Sequence, residues 1–219
     1  MKNEGMVEAG PVTQAVANVI TTGQLFTEAE LGGGYPNTID SPATTAKVDG
    51  APTTYIATIL QNHPALASAF VGSPTYLAVG AMTSAHDSAP DEASGTTVSK
   101  IDVTVDPAQI GINQELVLGL FRPTPEFISG AGIQKVTLDV TENGTTLFSK
   151  TLNSPSAALT FFTDDVINLG LLPPAGTVEI GLELDVTGAS VGSRIGTHFL
   201  LGTDALVPAH STNDHAGVT

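Results

Sequence analysis

Apolar and polar residues alternate along much of the second half of this chain, and this period of two predicts β-strands. Isoleucine and valine alternate with polar residues over 101–105, and five apolar residues alternate with glutamate, glycine and aspartate over 177–187. Successive side chains of a strand point to opposite faces of a sheet, so each stretch predicts one buried and one exposed face. Residues 115–121 are more continuously apolar, which predicts a central strand. Residues 75–83 and 194–202 are further strand candidates.

The strongest local signal is a β-hairpin over 135–152. Two alternating runs flank Asn143-Gly144. This dipeptide is typical of a type I′ turn, because both central residues of that turn need a positive φ. Asn143 also begins an N-glycosylation motif, which the hairpin turn explains without invoking a glycan.

The first 50 residues have a different pattern. Pro11 begins a segment with apolar residues at helical spacing through Ile20, which predicts a short helix. Thr27 and Glu30 have the spacing of a capping box and predict a second helix over 27–31. Three consecutive glycines follow at 32–34 and interrupt regular structure. We therefore expect residues 1–50 to form an extended arm carrying one or two short helices.

The remaining segments complete the predicted fold. The β-branched and apolar run 55–60 predicts a strand, and Pro64 begins a short helix that ends near Phe70. Strands separated by glycine and proline turns are typical of an antiparallel β-sandwich, either jelly-roll or immunoglobulin-like. We expect this all-β sandwich to span 51–207, followed by a polar tail over 208–219.

Composition excludes several classes of protein. The chain has 22 acidic and 7 basic residues among 219, a net charge of −15. Nucleic-acid binding and docking on anionic membranes both require clustered lysine and arginine, so neither is expected. No apolar run approaches the roughly 18 residues of a membrane span. The chain has no cysteine, which excludes disulfides, thiol nucleophiles and cysteine metal sites.

Carboxylates are the candidate ligands for a metal ion. The loop at 86–92 contains Asp87, Asp91 and Glu92 and is the densest calcium candidate, although it lacks EF-hand spacing. Glu179, Glu183 and Asp185 share one face of a predicted strand. That face is either a cation-binding surface or a solvated outer face, and we favour the solvated face.

No catalytic constellation stands out in the sequence. The histidines show no zinc-binding spacing, and there is no G-x-S-x-G nucleophile motif. His198 lies in an apolar strand, where we expect a core or edge residue and not a ligand. Asp164-Asp165 is expected to cap a turn or a short helix. We therefore predict no catalytic residue and no bound cofactor other than calcium.

The segment from about residue 75 to 202 resembles β-rich segments of large exported proteobacterial proteins. The stretches that carry this resemblance are TYLAVGAMT, SKIDVTVD, NQELVLGLF, IQKVTLDVTENGTTLFSKTL, FFTDDVINLG and VEIGLELDVTG. Similar stretches occur in type I secretion substrates and adhesin-like surface proteins. The resemblance implies a secreted protein located outside the cell or on its surface.

Together these observations predict a non-enzymatic, extracellular bacterial protein with a structural or adhesive role. We expect it to form a homo-oligomer or to join a larger surface complex, with the N-terminal arm packed on a neighbouring subunit. One alternative is a calcium-dependent module that binds a glycan or another surface ligand. A second alternative is a hydrolase whose carboxylates come together only in the fold.

Overall fold

A computed structural model describes residues 12–21, 25–31, 45–46, 53–71, 74–86, 95–110, 113–121, 128–129, 134–174, 176–189 and 194–205. Strands dominate these residues. In chain order they are β1 (Val12–Thr21), β2 (Leu25–Leu31), β3 (Thr45–Ala46), β4 (Thr75–His86), β5 (Gly95–Val105), β6 (Gln114–Phe121), β7 (Ile128–Ser129), β8 (Lys135–Glu142), β9 (Thr145–Leu152), β10 (Asp164–Leu171), β11 (Val178–Ala189) and β12 (Arg194–Ala205). The helices are α1 (Thr53–Asn62), α2 (Pro64–Ala69) and α3 (Pro155–Phe161), with a single 3₁₀ turn at Pro107–Gln109.

The described strands form two sheets. Sheet A has the order β1-β5-β11-β8-β9. Sheet B has the order β10-β6-β12-β4-β2-β3, with the short strand β7 pairing alongside β12. Pairing is antiparallel except between β2 and β3. This arrangement confirms the predicted all-β sandwich.

The main core lies between the sheets. Alternate residues of sheet A strands, such as Ile101, Leu138 and Leu182, pack against Leu118 and Phe199 of sheet B, and none of the five exceeds 1% exposure. Burial of apolar surface at this density supplies the principal driving force for folding. The alternation of apolar and polar residues therefore predicted the buried faces correctly over 101–105, 135–142 and 177–185.

A second apolar layer covers the other face of sheet B. Ile56 and Ile59 of α1 and Leu66 of α2 pack against Phe121 of β6 and Leu200 of β12. This explains why β6 is buried on both faces, as its continuous apolar run predicted. No helix in the described part of the chain is long and apolar enough to cross a membrane.

Two glycines allow the helices to approach sheet B closely. A Cβ atom at Gly119 would lie 2.7 Å from Leu66 Cγ, and one at Gly202 would lie 2.9 Å from Phe70 Cε1. Real Cβ atoms essentially never come so close to a neighbour. A larger residue at either position would therefore push the helical layer away from the sheet.

The predicted hairpin is confirmed as β8 and β9. Asn143 and Gly144 have φ values of 49° and 77°, as a type I′ turn requires. Strand β9 forms one edge of sheet A. Its half-buried Lys150 lies opposite the buried Leu138, and directly paired residues share a face, so Lys150 is on the core side of this edge strand.

The predicted helices in the first 50 residues are wrong. Residues 12–21 form strand β1, and residues 25–31 form strand β2. Six of the ten residues of β1 are β-branched, which favours a strand, and its backbone pairs with β5. Strand β2 pairs with β4 in the same way. Long-range backbone pairing therefore overrides the helical spacing of the apolar residues.

The strand predicted over 55–60 is also wrong, because these residues belong to α1. Ile56, Ile59 and Leu60 have helical spacing and pack toward sheet B, so tertiary packing outweighs the β propensity of the run. The predicted helix from Pro64 is confirmed as α2. The polar tail at 208–219 lies outside the described residues.

Candidate functional site

The N-terminal strands occupy the same side of the sandwich in both sheets. Strand β1 pairs with β5 from Val12 opposite Val105 to Thr21 opposite Thr97. Strand β2 pairs with β4, and β3 pairs in parallel with the end of β2. We call strands β1, β2 and β3, spanning residues 12–46, the N-terminal unit. It supplies the terminal strand of sheet A and the last two strands of sheet B on this side.

The N-terminal unit covers core strands of both sheets. Ile101, Val103 and Val105 of β5 are fully buried. In sheet B, β4 contributes Leu77 and Ala78 to the same core. Strand β2 also packs against β5, so the unit joins the two sheets at this side. Without the unit, β4 and β5 would each present unpaired backbone groups, and a sheet edge of this kind is a template for another strand.

Acidic side chains gather on the outer face of sheet A. Glu179 is exposed and Glu183 and Asp185 are half-buried, while the residues between them that face the core are buried. This confirms that the three carboxylates share the outer face. The register adds Asp102 of β5 and Asp139 of β8 to the same face, and it places Glu183 between Lys100 and Asp139.

Burial and a neighbouring carboxylate both disfavour the charged form of Glu183 on this outer face. Burial raises the pKa of Glu183 above its usual value, and the nearby carboxylate of Asp139 raises it further. Lys100 Nζ lies 3.1 Å from Asp102 Oδ1, and this hydrogen bond is the main reason that the pKa of Lys100 is raised. The face is therefore a negatively charged surface that would repel an identical face on another copy.

The calcium predictions have different outcomes. Asp87, Asp91 and Glu92 lie outside the described residues, so that prediction stays open. Within the described ranges, no group of three histidine, aspartate or glutamate residues is arranged to hold a metal ion. Glu179, Glu183 and Asp185 fall within those ranges, and the solvated interpretation of their face is the one we retain.

A second polar cluster lies where α1 meets α2. His63 is between the two helices, and its ring centroid is 5.0 Å from that of Phe121. Phe121 in turn is 5.7 Å from the ring of His198, which is fully buried beneath the helices. This confirms His198 as a core residue.

Asp164 connects this cluster to α2. Its Oδ2 accepts a hydrogen bond from the Ala65 N–H at 3.2 Å, and its Oδ1 lies 3.9 Å from His63 Nδ1. The first N–H groups of a helix have no partner within the helix, so Asp164 caps α2. Asp164 and Asp165 begin strand β10 and do not cap an adjacent turn or helix as predicted; the helix start that Asp164 satisfies is 99 residues away in the chain. Burial lowers the pKa of His63, and the Asp164 carboxylate partly offsets this effect.

Sequence reasoning did not connect His63 with Asp164. The available signal was Pro64 directly after His63, which marked a helix start in need of a cap. It did not indicate which residue would supply the cap. The carboxylate of Asp164 attracts the imidazole of His63 when the ring is protonated, and it also accepts a hydrogen bond from the start of α2.

Comparison of the chain with protein-family models, curated proteins and solved structures finds no significant match. The resemblance to exported proteobacterial proteins therefore stays a prediction. The structure therefore has two candidate functional surfaces, which are the N-terminal unit on one side of the sandwich and the negatively charged outer face of sheet A.

Proposed function

We propose that this protein is a non-enzymatic, extracellular structural or adhesive subunit of bacterial origin that assembles with copies of itself. The observation that carries the proposal is the N-terminal unit, which supplies terminal strands to both sheets. Strand addition at a sheet edge is a general mode of association between chains, because backbone hydrogen bonds provide the affinity.

The distribution of charge supports association through this unit. Strand β1 contains no charged residue, and β2 contains only Glu28 and Glu30. The outer face of sheet A carries Asp102, Asp139 and Glu183 close together. Copies with a net charge of −15 repel each other over distances comparable to the Debye length, so contact through weakly charged strands is favoured.

An extracellular location is supported by the composition. The absence of cysteine makes the fold independent of the redox state of its surroundings. The seven lysine and arginine residues leave few sites for trypsin-like proteases. The resemblance of residues 75–202 to exported surface proteins points to the same location.

Light scattering coupled to size exclusion tests the proposal. The full chain, treated with chelator, is measured over a concentration series at about 50 mM and about 500 mM salt. We expect a mass that is a multiple of 22.3 kDa, with association stronger at high salt because charge repulsion is screened. The chelator separates this association from bridging by calcium. A mass of 22.3 kDa under every condition would exclude self-assembly.

A further inference from the structure

We infer that Asn143 is a site of spontaneous deamidation and that the folded β8–β9 turn controls the rate of this reaction. The side-chain amide of Asn143 becomes a carboxylate when the turn opens. The inference concerns the covalent chemistry of the chain and does not depend on the proposed self-assembly.

Asn143 has the neighbour that this chemistry favours. Asn143-Gly144 is the one Asn-Gly step in the sequence, and both residues are exposed to solvent. Deamidation begins when the next backbone nitrogen approaches the side-chain Cγ closely, and glycine has no side chain to hinder that approach. Asn143 is therefore the asparagine of this chain whose neighbour hinders deamidation least.

The reaction needs only water as a co-reactant. The Gly144 nitrogen attacks Asn143 Cγ and forms a bond to it. The Cγ–Nδ2 bond breaks, and Nδ2 leaves as ammonia with the proton of the Gly144 N–H, so that a succinimide ring remains. Water then opens the ring: attack at Cγ gives aspartate, and attack at the main-chain carbonyl carbon gives isoaspartate, in which the backbone runs through Cγ.

The folded turn keeps the two reacting atoms apart. Asn143 and Gly144 have φ values of 49° and 77°, and the first central position of a type I′ turn has a ψ of about +30°. At that ψ the Gly144 nitrogen lies on the far side of the Cα–C bond from Asn143 Cβ, so it cannot reach Cγ. Rotation about this bond, and hence opening of the turn, must precede ring closure.

Hydrogen bonds to β11 hold Asn143 in this unreactive conformation. The Asn143 N–H donates to the Glu179 carbonyl at 2.8 Å, and the Glu179 N–H donates to Asn143 Oδ1 at 3.0 Å. One bond fixes the backbone of Asn143 and the other fixes its side-chain amide. Local opening that breaks these bonds therefore sets the rate of deamidation in the folded protein.

Deamidation alters the turn itself. Both products add a negative charge beside Glu142 and Glu179, on a chain whose net charge is already −15. Isoaspartate also adds an atom to the backbone of a two-residue loop, and the length of such a loop determines whether its twist matches the flanking strands. The isoaspartyl form therefore cannot restore the native turn, and opening of the hairpin becomes irreversible.

Deamidation rates in the folded and unfolded protein test the inference. The full chain is incubated in mildly alkaline buffer over a urea series that spans the unfolding transition, and peptide mass spectrometry follows conversion at Asn143. The exposed Asn153, which precedes Ser154, is the internal reference. We expect conversion at Asn143 to be at least about 10-fold slower in the folded protein than in the unfolded protein, because opening of the turn costs free energy. Conversion in the unfolded protein that is no faster at Asn143 than at Asn153 would overturn the assignment of the site.

A matched pair of variants tests the hydrogen bond to Asn143 Oδ1. Glu179→Pro removes the N–H donor at the second residue of β11 and leaves Asn143-Gly144 unchanged, whereas Glu179→Ala removes the same side chain and keeps the donor. Conversion should be about 5-fold faster in folded Glu179→Pro than in folded Glu179→Ala, as expected for the loss of one hydrogen bond. Equal rates in the two variants would overturn the role of Glu179. If Glu179→Pro does not fold, the urea series on the wild-type protein decides, and equal rates in its folded and unfolded states would overturn control by the turn.

Discussion

Asn143 and Glu179 exchange two hydrogen bonds that tie the β8–β9 turn to the start of β11. The Asn143 N–H donates to the Glu179 carbonyl at 2.8 Å, and the Glu179 N–H donates to Asn143 Oδ1 at 3.0 Å. Asn143 makes these bonds while it holds a φ of 49°. One residue therefore shapes the hairpin and also attaches it to the neighbouring strand.

We predict that Asn143→Ala lowers the free energy of unfolding by about 2 kcal/mol, because it removes a side-chain hydrogen bond and leaves alanine in a left-handed conformation. Asn143→Gly should cost only about 1 kcal/mol, since glycine tolerates that φ. Urea denaturation measures both values. The exposed Thr146→Ala serves as the control, and equal losses in all three variants would contradict the prediction.

Substitution by valine should change the free energy of unfolding in opposite directions at two buried threonines of β12. Thr203 Oγ1 has no hydrogen-bond partner among the described residues, whereas Thr197 Oγ1 donates to the His198 carbonyl at 3.1 Å. Thr203→Val should raise the free energy of unfolding by about 1 kcal/mol, because it removes an unsatisfied hydroxyl at constant volume. Thr197→Val should lower it. Thermal denaturation compares the two variants, and stabilisation of neither would refute the assignment.

The half-buried His63 should make the protein less stable in acid. Burial lowers its pKa below 6.5 in the folded state, so the unfolded chain binds a proton at a higher pH than the folded one. The free energy of unfolding should therefore fall as the pH drops below about 6.5.

The matched variant for this prediction is His63→Gln, which should reduce the loss of stability between about pH 7.5 and pH 5.5 in urea titrations. Asp164→Asn should enlarge the loss, since the carboxylate partly supports the protonated ring. Identical pH dependence in the wild-type protein and both variants would show that His63 does not titrate in this range.

Gly119→Ala should destabilise the helical layer on sheet B. The added methyl group would lie 2.7 Å from Leu66 Cγ, and overpacking of this kind costs about 1–3 kcal/mol. In a Leu66→Ala background the same substitution should cost less, because the obstructing atom is gone. A double-mutant cycle measures this coupling, and strict additivity would mean that Leu66 does not set the contact.

Short-range patterns predicted most of the sandwich, including the edge strand β9, but not the N-terminal strands. The Asn143-Gly144 turn and the alternation of β11 are local properties, and both were correct. The N-terminal strands depend on pairing with β5 and β4, far along the chain, and no local pattern indicates such pairing. Helix α3, which the alternation did not predict, carries a local signal of its own, because Ser154 caps it and Pro155 begins it.

The candidate surfaces were likewise predictable only where their residues lie close together in the sequence. Glu179, Glu183 and Asp185 share a face because they lie two and four residues apart on one strand. Their neighbours Lys100 and Asp139 come from other strands, and only the register of the sheet brings them close. The contact between His63 and Asp164 spans 101 positions in the chain and had no sequence signature.

Lys150 limits the growth of sheet A by addition of further strands at the β9 edge. A strand added to the β9 edge would enclose a half-buried amine on the core side, and desolvation of a charge is costly. Sheet A therefore cannot extend indefinitely through β9. Concentrated solutions should contain discrete particles of defined size instead of amyloid-like fibres built from stacked sheets.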